Sequence, residues 1–203
     1  MEHIFKQGKQ KNGPTLLLLH GTGGNESDLL PLGEMIAPDC SVLGVRGNVS
    51  EHGMPRFFRR LSEGVFDEED LVFRTKELKE FIDQSSEKYG FDRNNVLAIG
   101  YSNGANIAAS MMYHYSDAIQ GAILFHAMVP LRGIDMADLS GTPVFIGAGE
   151  NDPLIPAKET KELAAALRSS NADVTEFWTR GGHQLTREEV DHAAEWYKEK
   201  YNN

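Results

Sequence analysis

Three short stretches hold residues whose types and spacing could do covalent chemistry. Gly100-Tyr101-Ser102-Asn103-Gly104 sets a serine between glycines two before and two after, behind an apolar run and ahead of an Ala-rich one. That is the strand–turn–helix setting in which G-x-S-x-G exposes a serine as a nucleophile. A helix starting there aims its unpaired N–H groups and positive dipole end at the turn, where developing negative charge would sit. G-x-S-x-G by itself is a common turn sequence; the junction it occupies gives it weight.

A serine hydroxyl needs a base within hydrogen-bond reach, and the base needs an orienting acid. In open α/β sheets such groups gather beyond the carboxyl ends of the strands, here in the expected order Ser, Asp or Glu, then His. Asp152 lies in Gly149-Glu150-Asn151-Asp152-Pro153, directly after an apolar run. Glu150 is its rival, and the stiffening of the turn by Pro153 favours Asp152. Among the seven histidines, His183 alone follows the acid in a loop, preceded by Gly181 and Gly182, which permit close approach. His20 and His126 both end strands on the same side and compete with it. His3 is near the start, His52 is in a long loop, and His114 and His192 fall inside helices. His20-Gly21-Thr22-Gly23-Gly24 follows the first apolar run. Its Thr22 amide, with that of Asn103, would form the oxyanion hole that acyl transfer requires. The segment is not a phosphate loop: it has no Lys-Ser or Lys-Thr pair, and Glu26 breaks the G-x-G-x-x-G spacing. His20 then reads as a residue that pins this loop.

These residues need a frame. Six apolar runs read as strands: Thr15 to His20, Ser41 to Arg46, Asn95 to Tyr101, Ala118 to Phe125, Thr142 to Gly149 and Asp173 to Trp178. The Ile4 to Gln7 stretch reads as a weaker edge strand. Between them lie helical patterns. Leu71, Leu78, Ile82 and Tyr89 make one stripe of a helix over 69–88. A buried helix is expected over 102–115, and Pro156 opens another to about Ser169. Val190, Ala193, Ala194, Tyr197 and Tyr201 face one way on a last helix, with Thr186 and Glu189 as its capping box. Strands alternating with helices predict a mostly parallel sheet with helices on both faces. The stretch 47–68 reads as one long irregular loop, of a length that is often functional.

The totals fit one domain over residues 1–203, since 203 residues build one substantial core. No apolar run reaches the length of a membrane span, and the first residues lack a secretory pattern. A cytoplasmic setting follows as the expectation. A formal charge of −10 opposes nucleic-acid binding, which needs clustered Lys and Arg. The one cysteine, Cys40, excludes an internal disulfide; a buried thiol outranks a redox role for it. There is no H-E-x-x-H and no cysteine cluster, so no metal or cofactor is expected.

Taken in order, H-G-T-G-G, G-Y-S-N-G, G-E-N-D-P and G-G-H resemble the phospholipase/carboxylesterase family of α/β-hydrolases. That family includes small bacterial carboxylesterases and acyl-protein thioesterases, and it is similar to dienelactone hydrolases. The resemblance runs from about Thr15 to the last helix. It implies a single-domain α/β-hydrolase fold with no separate lid domain. It also implies Ser102, Asp152 and His183 as the triad, with Thr22 and Asn103 as oxyanion donors, and it decides for Asp152 over Glu150. Dienelactone hydrolases carry cysteine where this chain has Ser102, and the thioesterases often carry Gln where it has Asn103. Cleavage of small soluble carboxylic esters is the expected activity. Thioesterase or lysophospholipase activity is the alternative, and a non-catalytic binding protein with this fold is the third reading. The expected partner is a small-molecule ester, not a nucleic acid or membrane. The oligomeric state stays open, a homodimer being compatible with the sequence. Phe57, Phe58, Leu61, Met128 and Val129 are the expected substrate-pocket residues. One of Arg46, Arg56, Arg59 and Arg60 could draw an anionic substrate group, against the plainer expectation that they pair with Glu63, Asp67 and Glu68.

Overall fold

A computed structural model describes residues 1–10 and 12–201; Lys11 and the last two positions of the expected 1–203 domain lie outside it. Its centre is a seven-stranded sheet built from β1 (His3–Lys6), β2 (Thr15–Leu19), β3 (Ser41–Val45), β8 (Val96–Tyr101), β9 (Gly121–Phe125), β10 (Pro143–Gly149) and β11 (Asp173–Thr179). The spatial order is β1-β3-β2-β8-β9-β10-β11. β1 lies at the edge, as its weak pattern predicts, and it alone of the seven runs antiparallel to the rest. The central runs are apolar at every position because both of their faces are covered. Leu17 and Leu19 join one buried cluster and Leu16 and Leu18 the other, on opposite sides of the pleat.

On one face lie α2 (Glu68–Tyr89), α3 (Asn103–His114) and α4 (Ala157–Ser169). Leu71, Leu78 and Ile82 of α2, Ile107 and Met111 of α3, and Leu163 and Leu167 of α4 fill the first cluster. On the other face α1 (Leu30–Ile36) packs on α5 (Arg187–Tyr201), with Ile36, Trp196 and Tyr197 in the second cluster. Helix α1 is absent from the sequence reading. It has seven residues with a proline in its first turn and Gly33 within, and no side chain caps its start. Packing of Leu32 and Ile36, not local propensity, makes it helical.

The stretch read as irregular holds two hairpins, β4 (Val49–Glu51) with β5 (Met54–Arg56), and β6 (Arg60–Ser62) with β7 (Val65–Phe66). Helix α2 then starts at the Asp67 cap, whose carboxylate accepts from Asp70 N at 3.1 Å, a bond of about 1 kcal/mol. Among the described residues, no helix is long and apolar enough to cross a membrane.

Candidate active site

The sheet reverses direction of growth at β2: the chain steps outward to β3 on one side and returns to β8 on the other. Adjacent strands here are β2 and β8, with Leu19 opposite Gly100. The loops leaving their carboxyl ends are the ones that carry Thr22 and Ser102, and this is the crevice where open α/β sheets place ligands.

Ser102 occupies a sharp turn with φ 51° and ψ −113°. That left-handed backbone costs a non-glycine residue about 1–3 kcal/mol. It is held by Ser102 N donating to Phe125 O at 2.9 Å and Asn106 N to Ser102 O at 3.0 Å. The flanking glycines let α3 sit down on the strand ends. A Cβ on Gly104 would run into the Leu19 carbonyl, and one on Gly100 would meet Ala105 N at 2.6 Å.

His183 reaches Ser102 Oγ with Nε2 at 3.0 Å and Asp152 Oδ2 with Nδ1 at 2.8 Å. Its loop is tied down by Tyr101, whose hydroxyl donates to the His183 carbonyl at 2.6 Å. Asp152 is buried, and its Oδ1 accepts from Leu154 N at 2.8 Å and Ile155 N at 3.0 Å. Burial alone would raise its carboxyl; donors from His183, these two amides and His126 outweigh that and hold it below the ordinary carboxylate range. The rival Glu150 is exposed.

Thr22 and Asn103, the residues expected to supply the oxyanion amides, line the same cleft as Ser102 and His183. Asn103 opens α3, where first-turn N–H groups have no helical partner. The Thr22 N–H donates to no backbone carbonyl among the described residues. Both residues are gripped by the 47–58 segment. Arg56 Nη1 donates to Thr22 Oγ1 at 2.6 Å, Gly23 N to Pro55 O at 2.9 Å, and Phe57 N to Asn103 Oδ1 at 2.7 Å. His20 accepts from Gly47 N at Nε2 (3.1 Å), so its proton sits on Nδ1 and goes to Gly21 O at 2.6 Å. Burial pushes His20 down and keeps it neutral for this task. It pins the loop, as expected.

The cleft encloses about 380 Å³, and Phe66, Met128, Leu154 and Ile155 are its apolar wall. This corrects most of the pocket assignment. Phe57 and Phe58 are 1% and 0% exposed and belong to the core. Phe57 anchors the hairpin through its ring against His20. Leu61 is 73% exposed and is not part of the cleft lining, although Arg60, Glu63 and Gly64 of the same hairpin are. Val129 is buried in the core cluster, and of the five only Met128 lines the cleft. The arginines also divide. Arg46 is paired with Glu26 and Glu2, Arg59 with Asp67, and Arg60 with Glu51. Arg56 is the buried one, in the cleft wall beside Thr22, with Glu51 at 3.5 Å. Cys40 is buried against the Tyr197 hydroxyl at 3.1 Å, and burial pushes its thiol up, away from the reactive thiolate.

One neighbour of the site is, from the sequence, only a competing base. His126 follows β9, and its Nδ1 lies 3.0 Å from Asp152 Oδ2, the oxygen that His183 Nδ1 also reaches. With Asp152 these two histidines bring donor atoms within 4.8 Å of one another. Both Nδ1 atoms are turned on a single carboxylate oxygen, so a cation there would have to displace two ring protons. Position at a strand's carboxyl end was the available signal; which side of Asp152 it would occupy was not encoded locally.

Comparison with known proteins gives one direction. Residues 2–200 match the family described as Phospholipase/Carboxylesterase. MhqD of Bacillus subtilis (strain 168), named as a hydrolase, is 60% identical over 199 residues, 98% of each chain. The crystal structure of a Bacillus cereus carboxylesterase is also 60% identical, with TM-score 0.98 over 98% of this chain and 94% of that one. Acyl-protein thioesterase 1 of Cryptococcus neoformans var. neoformans is 24% identical over 176 residues, 76% of this chain and 73% of that protein.

Proposed function

The chain belongs to the phospholipase/carboxylesterase family of esterase-type hydrolases, and on that footing we propose that it cleaves small carboxylic esters through an acyl-enzyme on Ser102. The observation that carries this reading is the continuous chain from Ser102 Oγ through His183 to Asp152, at 3.0 and 2.8 Å, opening on the cleft. Ser102 attacks the ester carbonyl while His183 Nε2 takes its proton. Asp152 holds the ring with Nδ1–H turned inward and stabilises the imidazolium that forms. The carbonyl oxygen, now negative, lies against the amides of Thr22 and Asn103. His183 then returns its proton to the leaving alkoxide, and the acyl-serine is released by a water that the same base activates. The cleft walled by Phe66, Met128, Leu154 and Ile155 fits a short acyl or alkyl group and supports a small-molecule substrate over a polymer or membrane lipid.

A fluorophosphonate probe followed by peptide mass spectrometry tests the reading. Label on Ser102 that disappears in Ser102→Ala supports it; folded protein that stays unlabelled, or carries label elsewhere, overturns it. The distant likeness to an acyl-protein thioesterase favours a second reading with the same residues. Comparing kcat/KM on short p-nitrophenyl esters and on matched acyl-thioesters separates the two.

A further inference from the structure

The mechanism above leaves unused one buried titratable group in contact with two carboxylates. His126 is 0% exposed at its side chain; Nδ1 is 3.0 Å from Asp152 Oδ2 and Nε2 is 3.0 Å from Glu189 Oε1. Glu189, from the first turn of α5, is also 0% exposed. The position is tightly held: His126 has φ 53°, in the left-handed region, and its amide donates to Gly147 O at 2.8 Å.

Buried carboxylates require donors. Asp152 Oδ1 takes the two amides of the following turn, and Oδ2 takes His183. Glu189 Oε2 takes Thr186 N at 2.8 Å and Thr186 Oγ1 at 2.7 Å, closing the capping box. Glu189 Oε1 has no hydrogen-bond donor among the described residues; the polar atom beside it is His126 Nε2. A neutral imidazole has one N–H and one lone pair. Placed here, it would set its lone pair 3.0 Å from one buried carboxylate or the other. Only the doubly protonated ring donates to Asp152 and at the same time sets positive charge, with no lone pair, beside Glu189. The contact with Glu189 is at ion-pair distance but off-line for a hydrogen bond, so charge supplies its attraction.

We propose that His126 is a standing imidazolium, a positioning residue that neutralises one of the two carboxylates behind His183 and so sets the pH range in which the Ser102–His183 pair works. The proposal rests on the reading of His183 as base. The groups facing His126 are Asp152 from the loop after β10, Glu189 from α5, His183 from the loop after β11 at 5.2 Å between ring centroids, and Tyr101 from β8 at 5.8 Å. Burial works against the charge on His126, but Glu189 and Asp152 outweigh it and raise the group. With His126 protonated, one net negative charge stands behind His183. With a neutral residue there, two do, and a proton on His183 is held more firmly. An enzyme that needs His183 unprotonated would then lose rate at a higher pH.

Two measurements test this. In the ¹⁵N-labelled wild-type protein, two-bond ¹H–¹⁵N correlation reads each ring nitrogen, with His126 assigned by its absence from His126→Asn. His126 is expected to keep both nitrogens protonated from about pH 6 to about pH 8, where an ordinary histidine has lost its proton. A neutral ring at neutral pH, with the proton on Glu189 instead, overturns the proposal. In His126→Asn, and in His126→Gln should the first not fold, the acid limb of the kcat/KM profile is expected to move up by about one pH unit. A limb that stays, or moves down, also overturns it. A merely structural loss would lower the rate without moving the limb. The ring signals are read without substrate, so they stand even if Ser102 carries no fluorophosphonate label, and the two failures are told apart.

Discussion

Replacing Asp152 with Asn changes one atom in a buried group and should silence the enzyme. The carboxylate takes four donors: Leu154 N and Ile155 N on Oδ1, His183 Nδ1 and His126 Nδ1 on Oδ2. Asparagine has one oxygen and one NH₂. The two backbone amides hold the oxygen, because NH₂ in that place would face two donors. The NH₂ is thereby turned on the histidines, where it meets one fixed donor, His126 Nδ1–H, instead of two, and His183 can change tautomer to accept from it. His183 then accepts at Nδ1 and carries its proton on Nε2, aimed at Ser102 Oγ 3.0 Å away. The base has become a donor with its position unchanged. The corresponding change in the serine-protease triad lowers kcat by about 10⁴, or about 5.5 kcal/mol of barrier at 1.36 per decade, and a loss of that order is expected here. The assay is kcat/KM on a p-nitrophenyl ester, with the fluorophosphonate labelling rate as a second reading and Tm as a control on folding. A loss below about tenfold, about 1.4 kcal/mol, in a variant of unchanged Tm would refute Asp152 as the group that orients the base.

Other outcomes follow from the same geometry. Arg56→Met removes the 2.6 Å bond that steadies Thr22. It should lower kcat about tenfold to a hundredfold with KM little changed, short of the ~10²–10³ lost with an oxyanion donor itself; an unchanged kcat would show that Thr22 needs no clamp. Phe57→Ala empties a core site and should cost about 3–5 kcal/mol in denaturant titration while leaving acyl-chain preference alone. Met128→Ala, in the cleft wall, should shift that preference, and the opposite pattern would restore Phe57 to the pocket. Stability should also depend on the His126 proton. Its folded value is raised, so its contribution is complete below the unfolded value of about 6.5 and is lost as pH rises through the folded one. Wild-type Tm should therefore fall on the alkaline side, and the fall should be weaker in His126→Asn. Asp152 and Glu189, both lowered, act in the other direction: their contribution is present above the unfolded carboxylate range and lost as pH falls through the folded values.

Much of the frame was legible along the chain, since period and punctuation are local. Four leucines in a row, Leu16 to Leu19, bounded by Gly13-Pro14 and Gly21, fit a short strand covered on both faces. Thr186 and Glu189 close a capping box by bonds three residues apart, and Ser102 sits where G-Y-S-N-G puts a turn between strand and helix. Helix α1 and the hairpins of 47–66 were not legible. Each is too short to carry a period, and their shape comes from what they pack against.

The sequence by itself determined that most strands would alternate with helices in a mostly parallel sheet, that Ser102 would stand at a strand–helix turn, and the order in which its candidate partners come along the chain, because each follows from bonds and periods spanning a few residues. Only the tertiary structure decided that Asp152 is buried and Glu150 exposed, that Phe57 is core while Arg56 reaches the cleft, and that His126 shares Asp152 with His183. The contacts of Asp152 with the two histidines join residues 26 and 31 apart. They depend on which strands become neighbours and on how much room remains between them, and no local pattern carries that information.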